Sequence, residues 1–226
     1  MKPIAHIHTF FPEKFGIPRQ SGLVPELKGR IVFEPEFRNP DSLRGLEDFS
    51  HIWLIWGFSA NRSQEAWQPV VRPPRLGGND RMGVFATRSP YRPNPRGLSC
   101  VELDSIGTDP ADGPVIIVRG IDMMDGTPIY DIKPYIRYAD SRPHAVCGYV
   151  DGLKERNLKV VIHPEMTAGI TDKSIMPALV ETLGLDPRPS YHDDPERVYG
   201  LSFAGYNVRF KVSDNVLEVI SLGTNP

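Results

Sequence analysis

Two stretches of the chain hold the side chains best suited to chemistry. The first is Thr87-Arg88-Ser89-Pro90-Tyr91-Arg92-Pro93-Asn94-Pro95-Arg96-Gly97-Leu98-Ser99. Pro90, Pro93 and Pro95 restrict the backbone, so Arg88, Arg92 and Arg96 are held in place, and a held guanidinium gives up less entropy when it meets an anion. Arginine's planar fork donates paired hydrogen bonds to phosphate or carboxylate, and Tyr91 offers a ring on which an unpaired base can stack. The same residues also suit a solvated surface loop, and physics alone weighs the two readings equally.

The second stretch is Asp125-Gly126-Thr127-Pro128 followed by Ile129-Tyr130-Asp131-Ile132-Lys133-Pro134-Tyr135. Asp-Gly is turn chemistry, predicting a tight turn that leads into a strand. In an extended strand Asp131, Lys133 and Tyr135 share a face. Asp131 and Lys133 then form either a structural ion pair, which is the simpler reading, or a tuned proton-transfer pair. His6 and His8 also share a strand face, a spacing found in metal hydrolases. No downstream His/Asp/Glu cluster completes a metal set, so a strand-surface pair is expected and no metal is assigned. His51 sits in the apolar run Phe49–Phe58, where it is expected to be buried beside a hydrogen-bonding partner or to touch a ligand.

These groups need a scaffold, and the composition narrows it. Among 226 residues there are 23 prolines, about twice the usual share, which disfavours helix interiors and central strands. Net charge is −2, but Arg72, Arg75, Arg81, Arg88, Arg92 and Arg96 are opposed locally by Asp80 alone, giving a cationic surface on a mildly acidic protein. Cys100 and Cys147 have neither disulfide-scaffold nor zinc spacing, which fits reduced thiols in the cytoplasm. No signal-peptide core or membrane-length apolar run is present. No glycine-rich dinucleotide turn or phosphate loop occurs, so a Rossmann domain is not expected.

Strands are predicted over Pro3–His8, Arg30–Phe33, Phe49–Phe58, Gly83–Ala86, Leu98–Leu103 and Val115–Val118, punctuated by Gly and Pro. Short strands without crossover helices favour antiparallel pairing in a barrel or sandwich. One short helix is predicted within Asn39–Glu47, capped by Asp41 or Ser42. After a polar linker from Ser141 to Arg156, Leu158–Ile162 reads as a strand. Asp172 caps a helix stopped by Gly184, and Tyr206–Val212 with Val216–Ile220 reads as a hairpin. This tail is small for an independent domain and is expected to pack on the first.

Five ordered motifs then carry a resemblance. They are Phe15-Gly16-Ile17-Pro18-Arg19-Gln20, Gly45 through Trp53, Arg72 through Gly78, Phe85 through Ser99, and Asp125 through Pro128 with Asp131 through Tyr135. Together they resemble the TsaA-like family of β-barrel tRNA methyltransferases over roughly residues 1–145, while the tail is similar to the C-terminal extension of bacterial members. Arg96 stands where the family pattern suggests a small or apolar residue. The resemblance implies a mainly β fold: a small antiparallel barrel with short helices over 1–145, then a small α+β domain over 146–226. It implies methyl transfer from S-adenosylmethionine to N6 of threonylcarbamoyladenosine at position 37 of threonine tRNA. By the same resemblance Pro18, Arg19, Gln20, His51, Ile52, Arg88, Leu98, Asp125, Gly126, Thr127 and Pro128 contact the donor. Asp131 is the candidate base, Lys133 orients the threonyl carboxylate, and Tyr91, Arg92 and Arg96 meet the anticodon loop. A cytoplasmic homodimer is implied too. The rivals are a non-catalytic RNA-binding barrel, a methyltransferase with another acceptor, and a hydrolase built on His6 and His8.

Overall fold

The computed structural model describes residues 1–60, 67–73, 76, 80–153, 157–189 and 194–224. Arg75, the centre of the Arg72–Gly78 motif and the end of the predicted linker lie outside them. The first half contains β1 (Ala5–His8), β2 (Lys28–Phe33), β3 (His51–Gly57), β4 (Val70–Val71), β5 (Met82–Gly83), β6 (Arg96–Asp109), β7 (Gly113–Arg119) and β8 (Thr127–Pro134). Strands β1, β2, β7, β6, β3 and β8 close, in that order, into a barrel whose neighbouring pairs are all antiparallel.

Closure depends on β6. Its first half pairs with β3, from Gly57↔Arg96 to His51↔Glu102. Its pairing with β7 begins at Glu102↔Arg119 and continues past a bulge between Leu103 and Ser105. A bulge bends and over-twists a strand, so one long strand turns the corner between two sheets. Two-residue alternation then sets what lies inside: Ala5 and Ile7, Ile31 and Phe33, Ile52, Leu54 and Trp56, Ser99 and Val101, Ile116 and Val118, Thr127 and Ile129 are all buried. Gly97 belongs to this packing because a Cβ there would lie 2.1 Å from Trp56 Cε2; only glycine admits the indole.

The barrel has two ends. At one, here the mouth, β1, β3 and β7 finish and β2, β6 and β8 begin. At the other, the floor, β1 and β3 begin and β2 and β8 finish.

The second half has α1 (Arg137–Asp140), β9 (Lys159–Val161), α2 (Met176–Gly184), β10 (Tyr199–Phe203), β11 (Tyr206–Ser213) and β12 (Val216–Thr224). The sheet order is β10-β11-β12-β9, with β9 parallel to β12. Asp172 accepts from Ser174 N–H at the head of a short 3-10 turn that runs into α2. The tail packs on the barrel through Phe203, whose ring lies 5.3 Å from Phe10 and 5.4 Å from Phe11, and Ala204 N–H donates to Phe10 O at 2.9 Å. The two halves share one contiguous core.

Three expectations need correction, and one strand needs adding. The helix expected within Asn39–Glu47 is two 3-10 turns, Pro40–Leu43 and Leu46–Asp48, preceded by a third at Pro35–Phe37. Gly45, at φ +83°, separates the last two, and the cap is Asn39. The Gly83–Ala86 strand is the two-residue β5 running into a 3-10 turn. Strand β10 was not anticipated. His51 is exposed, because alternation that buries Ile52, Leu54 and Trp56 turns His51, Trp53 and Ile55 outward. Among the described residues no helix is long and apolar enough to cross a membrane.

Because Phe203 joins the tail to the barrel core, Phe203→Ala should remove about 3–5 kcal/mol. Urea unfolding followed by tryptophan fluorescence and by far-ultraviolet dichroism measures the change. An unaltered midpoint would mean that the halves are energetically independent.

Candidate active site

Polar groups converge at the mouth. Ser99 occupies an inward position near the start of β6 and is 1% exposed, so its hydroxyl must find partners. It accepts from Trp56 Nε1 at 2.9 Å and donates to Asp122 Oδ1 at 2.6 Å. Asp122 follows β7 and also accepts the Ser21 backbone N–H. Burial pushes its carboxyl up to about 6, against the opposing pull of Ser99, of backbone N–H groups and of the Arg88 guanidinium. Arg88 Nη1 in turn donates to Gln20 Oε1, so the Pro18-Arg19-Gln20-Ser21 segment and the proline loop meet above one half-buried carboxyl.

The Asp125-Gly126 turn borders the same mouth. Gly126 takes φ +72°, Thr127 Oγ1 donates to Met124 O at 2.7 Å, and Asp125 Oδ1 accepts from Thr9 N–H at 3.0 Å. His8 Nδ1 lies 3.3 Å from Asp125, whereas His6 faces Glu34 at 2.7 Å. The two histidines therefore answer to different carboxylates on the surface.

The remaining sequence-derived residues lie elsewhere. Leu98, 56% exposed, is on the outer wall opposite Ile55. His51 and Ile52 begin β3 at the floor, about 20 Å along the strand from Gly57 at 3.3 Å per residue. The His51 ring meets Ser50 Oγ at 2.9 Å, and Ile52 is fully buried inside the barrel, leaving only its backbone to offer a ligand. Asp131 and Lys133 form an ion pair at 2.9 Å, the simpler of the two sequence readings. Opposite Ile55 and Trp56 of β3, β8 carries one extra residue, Tyr130, which shifts the register at this point, and Asp131 lines a floor cavity of about 490 Å³ walled by Phe33, Phe37, Leu43, Phe49 and Ile132.

The arginine loop is tied to the protein rather than free. Arg92 donates to Thr87 O at 3.0 Å and to Ser89 O at 3.4 Å, and its guanidinium stands 5.9 Å from the Phe85 ring. Arg96 lies 4.4 Å over Tyr130, a cation–π contact. Tyr91 is 47% exposed. Sequence reasoning missed Asp122, Ser99 and Trp56. Their signal was there: Asp122 interrupts the apolar run Ile121-Asp122-Met123-Met124, and a carboxylate set among such residues is buried only with partners.

Residues 6–141 match the family model of the tRNA-methyltransferase O N-terminal domain, and residues 155–225 match that of the TrmO C-terminal domain. The chain is 39% identical to the tRNA (adenine(37)-N6)-methyltransferase of Escherichia coli K12, covering 97% of this chain and 95% of that protein. It is 38% identical to a putative S-adenosylmethionine-dependent methyltransferase, RcsF, of Pseudomonas aeruginosa PAO1, covering 89% of this chain and 87% of that one. A crystal structure of TrmO from Pseudomonas aeruginosa superposes with a TM-score of 0.77 at 30% identity, covering 98% of this chain and 97% of that one.

The raised Asp122 value sets a stability test. A carboxyl whose folded value lies above its unfolded one, near 3.9, binds its proton more tightly in the native state, so the fold loses stability as pH rises between the two values. With the folded value at about 6, the loss is fully developed above it and amounts to roughly 3 kcal/mol. Asp122→Asn should therefore raise Tm at pH 7.5 by several degrees, with the gain disappearing near pH 4. Calorimetry at both pH values checks this, and a variant no more stable than the parent at pH 7.5 would contradict a desolvated carboxylate.

Proposed function

The chain belongs to the tRNA-methyltransferase O family, and from that premise we propose that it methylates N6 of threonylcarbamoyladenosine at position 37 of threonine tRNA, as a cytoplasmic homodimer. It is an S-adenosylmethionine-dependent tRNA methyltransferase acting on adenosine 37. The observation that carries this reading is similarity to the Escherichia coli enzyme over nearly the whole of both chains, joined to a polar mouth that suits the donor. A non-catalytic RNA-binding barrel is not favoured.

The mouth fits S-adenosylmethionine by charge. The donor's sulfonium is cationic, and Asp125 offers a carboxylate at the rim; its own carboxylate matches the Arg88 guanidinium with Gln20 beside it. Pro18, Arg19 and Gln20, with Asp125, Gly126, Thr127 and Pro128, would hold it largely through backbone groups. When bound, the donor supplies an electrophilic methyl group. The chain's task is to align N6 and dispose of its proton. The ureido N6–H is a weak nucleophile, and Asp131 is the proposed proton acceptor, with Lys133 orienting the threonyl carboxylate.

A second copy reconciles these roles with the geometry. His51, Ile52, Asp131 and Lys133 lie toward the floor, whereas Gln20, Arg88 and Asp125 lie at the mouth, and transfer requires reacting atoms about 3–3.5 Å apart. In a two-fold dimer the mouth of one barrel meets the floor side of the other, so each site draws on both subunits. Leu98 and the apolar outer wall of β3 and β6 then lie between the copies. Tyr91 stacks beside the flipped base, while Arg92 and Arg96 stiffen the loop and approach the anticodon-loop phosphates.

Two experiments test this reading. Total tRNA from cells lacking the protein, incubated with enzyme and labelled donor, should yield N6-methyl-threonylcarbamoyladenosine by nucleoside mass spectrometry; label in a different nucleoside would refute the acceptor. Arg88→Ala and His51→Ala should each abolish transfer. Mixing and re-equilibrating the two should restore about a quarter of the activity, since half the dimers would be mixed and hold one intact site of two. No recovery would count against a shared site.

A further inference from the structure

Asp122 stands outside the residues that any motif singles out, yet the mouth is assembled around it. Three elements that do not touch in sequence meet at its carboxyl: Ser99 of β6 by a 2.6 Å hydrogen bond, the Ser21 backbone N–H of the loop before β2, and the Arg88 guanidinium of the proline loop by charge. Ser99 is itself fixed from the other side by Trp56 of β3, whose indole needs the missing Cβ of Gly97. Gln20, next to Ser21, is hydrogen-bonded to Arg88, so the two loops are fastened to each other and to one half-buried group. A desolvated carboxylate of this kind weakens the fold, and such groups persist at sites where the charge has a task.

We infer that Asp122 is a positioning residue for the methyl donor: its carboxylate holds the Gln20–Ser21 segment and the Arg88 guanidinium in the arrangement that binds S-adenosylmethionine. The inference rests on the reading of Gln20 and Arg88 as donor contacts. In the ionised form Asp122 attracts Arg88 and accepts both Ser21 N–H and Ser99 O–H. Once protonated it loses the attraction to Arg88 and must itself place a proton among donors. Arg88 is the charged group that acts on it among the described residues; its other partners, Ser99 and the Ser21 amide, do not titrate in this range. Donor affinity should therefore fall as pH drops through the Asp122 transition, at about 6.

The test is isothermal titration of the full-length protein with S-adenosylmethionine from pH 5 to 8. The wild type should bind more weakly on the acid side. Asp122→Asn should bind roughly ten- to hundredfold more weakly at pH 7.5, the range for losing hydrogen bonds to a charged group, and its affinity should be flat with pH. Asp122→Glu should restore part of the affinity and the pH dependence, which a purely structural role would not. Asp122→Asn binding like the wild type, with the same profile, overturns the inference. Should that variant fail to fold, Ser99→Ala decides: loss of a bond that lowers the Asp122 value must move the acid transition upward, and an unmoved transition overturns the inference. Arg88→Ala separates the two levels of argument. Unchanged affinity there removes the donor-site reading and this inference together, whereas weakened affinity with Asp122→Asn unaffected removes this inference alone.

Discussion

Ser99 points into the barrel at a phase where β3, β2 and β7 present apolar side chains, and a buried hydroxyl in that place must be matched. Asp122 matches it, and the rest of the mouth follows from that pairing. A carboxylate half-buried to satisfy a hydroxyl needs further donors, and the Ser21 amide and Arg88 guanidinium come from two loops that are also joined by the Arg88–Gln20 hydrogen bond. The Trp56 indole, bonded to the same hydroxyl, transmits the position of β3. One inward polar residue thus fixes the relative placement of two strands and two loops, which short-range turn chemistry has no means of doing.

The opposing energetics explain why this network sits at the end of the barrel and not at its middle. From Leu54 down to Ile52 and Val101 near the floor the interior is apolar, and those side chains offer a charge no hydrogen bond. At the mouth the loops supply backbone N–H groups and a guanidinium, enough to keep the carboxyl ionised above about 6 while it stays half-buried. The charge is retained at a cost in stability, and burial strengthens its hold on Arg88 relative to a solvated pair.

Local periodicity made most of the scaffold legible. The apolar strand within Phe49–Phe58, the Asp125-Gly126 turn, the Asp172 cap and the hairpin of β11 and β12 are short-range features, and the sequence predicts each of them. What failed depended on distant partners. Strand β6 was predicted as Leu98–Leu103 because its extension to Asp109 follows from pairing with β7 across a bulge. His51 was expected inside because the apolar run hides the phase of the alternation, and only the pairing register resolves it. Asp122 passed unnoticed because its partners lie 23 residues away in Ser99 and further still in Ser21 and Arg88. The Gln20 segment and the Arg88 loop were legible as separate motifs; the group that joins them in the fold was not, since nothing about an isolated Asp between Ile121 and Met123 says which hydroxyl it answers.

The missing glycine-rich turn takes on a different meaning in this setting. That motif exists to bring backbone N–H groups and a helix N-terminus up to a pyrophosphate. S-adenosylmethionine has no phosphate. Its charged groups are a sulfonium, an ammonium and a carboxylate, which call for carboxylates and a guanidinium rather than for a helix dipole. A barrel mouth built from strand ends can supply these, because each strand contributes a loop of independent sequence at the same rim. The absence that argues against a dinucleotide fold is therefore neutral toward a nucleoside sulfonium donor. Asp122 and Arg88, a half-buried carboxylate and a guanidinium brought together by loops, are groups of the kind such a donor calls for.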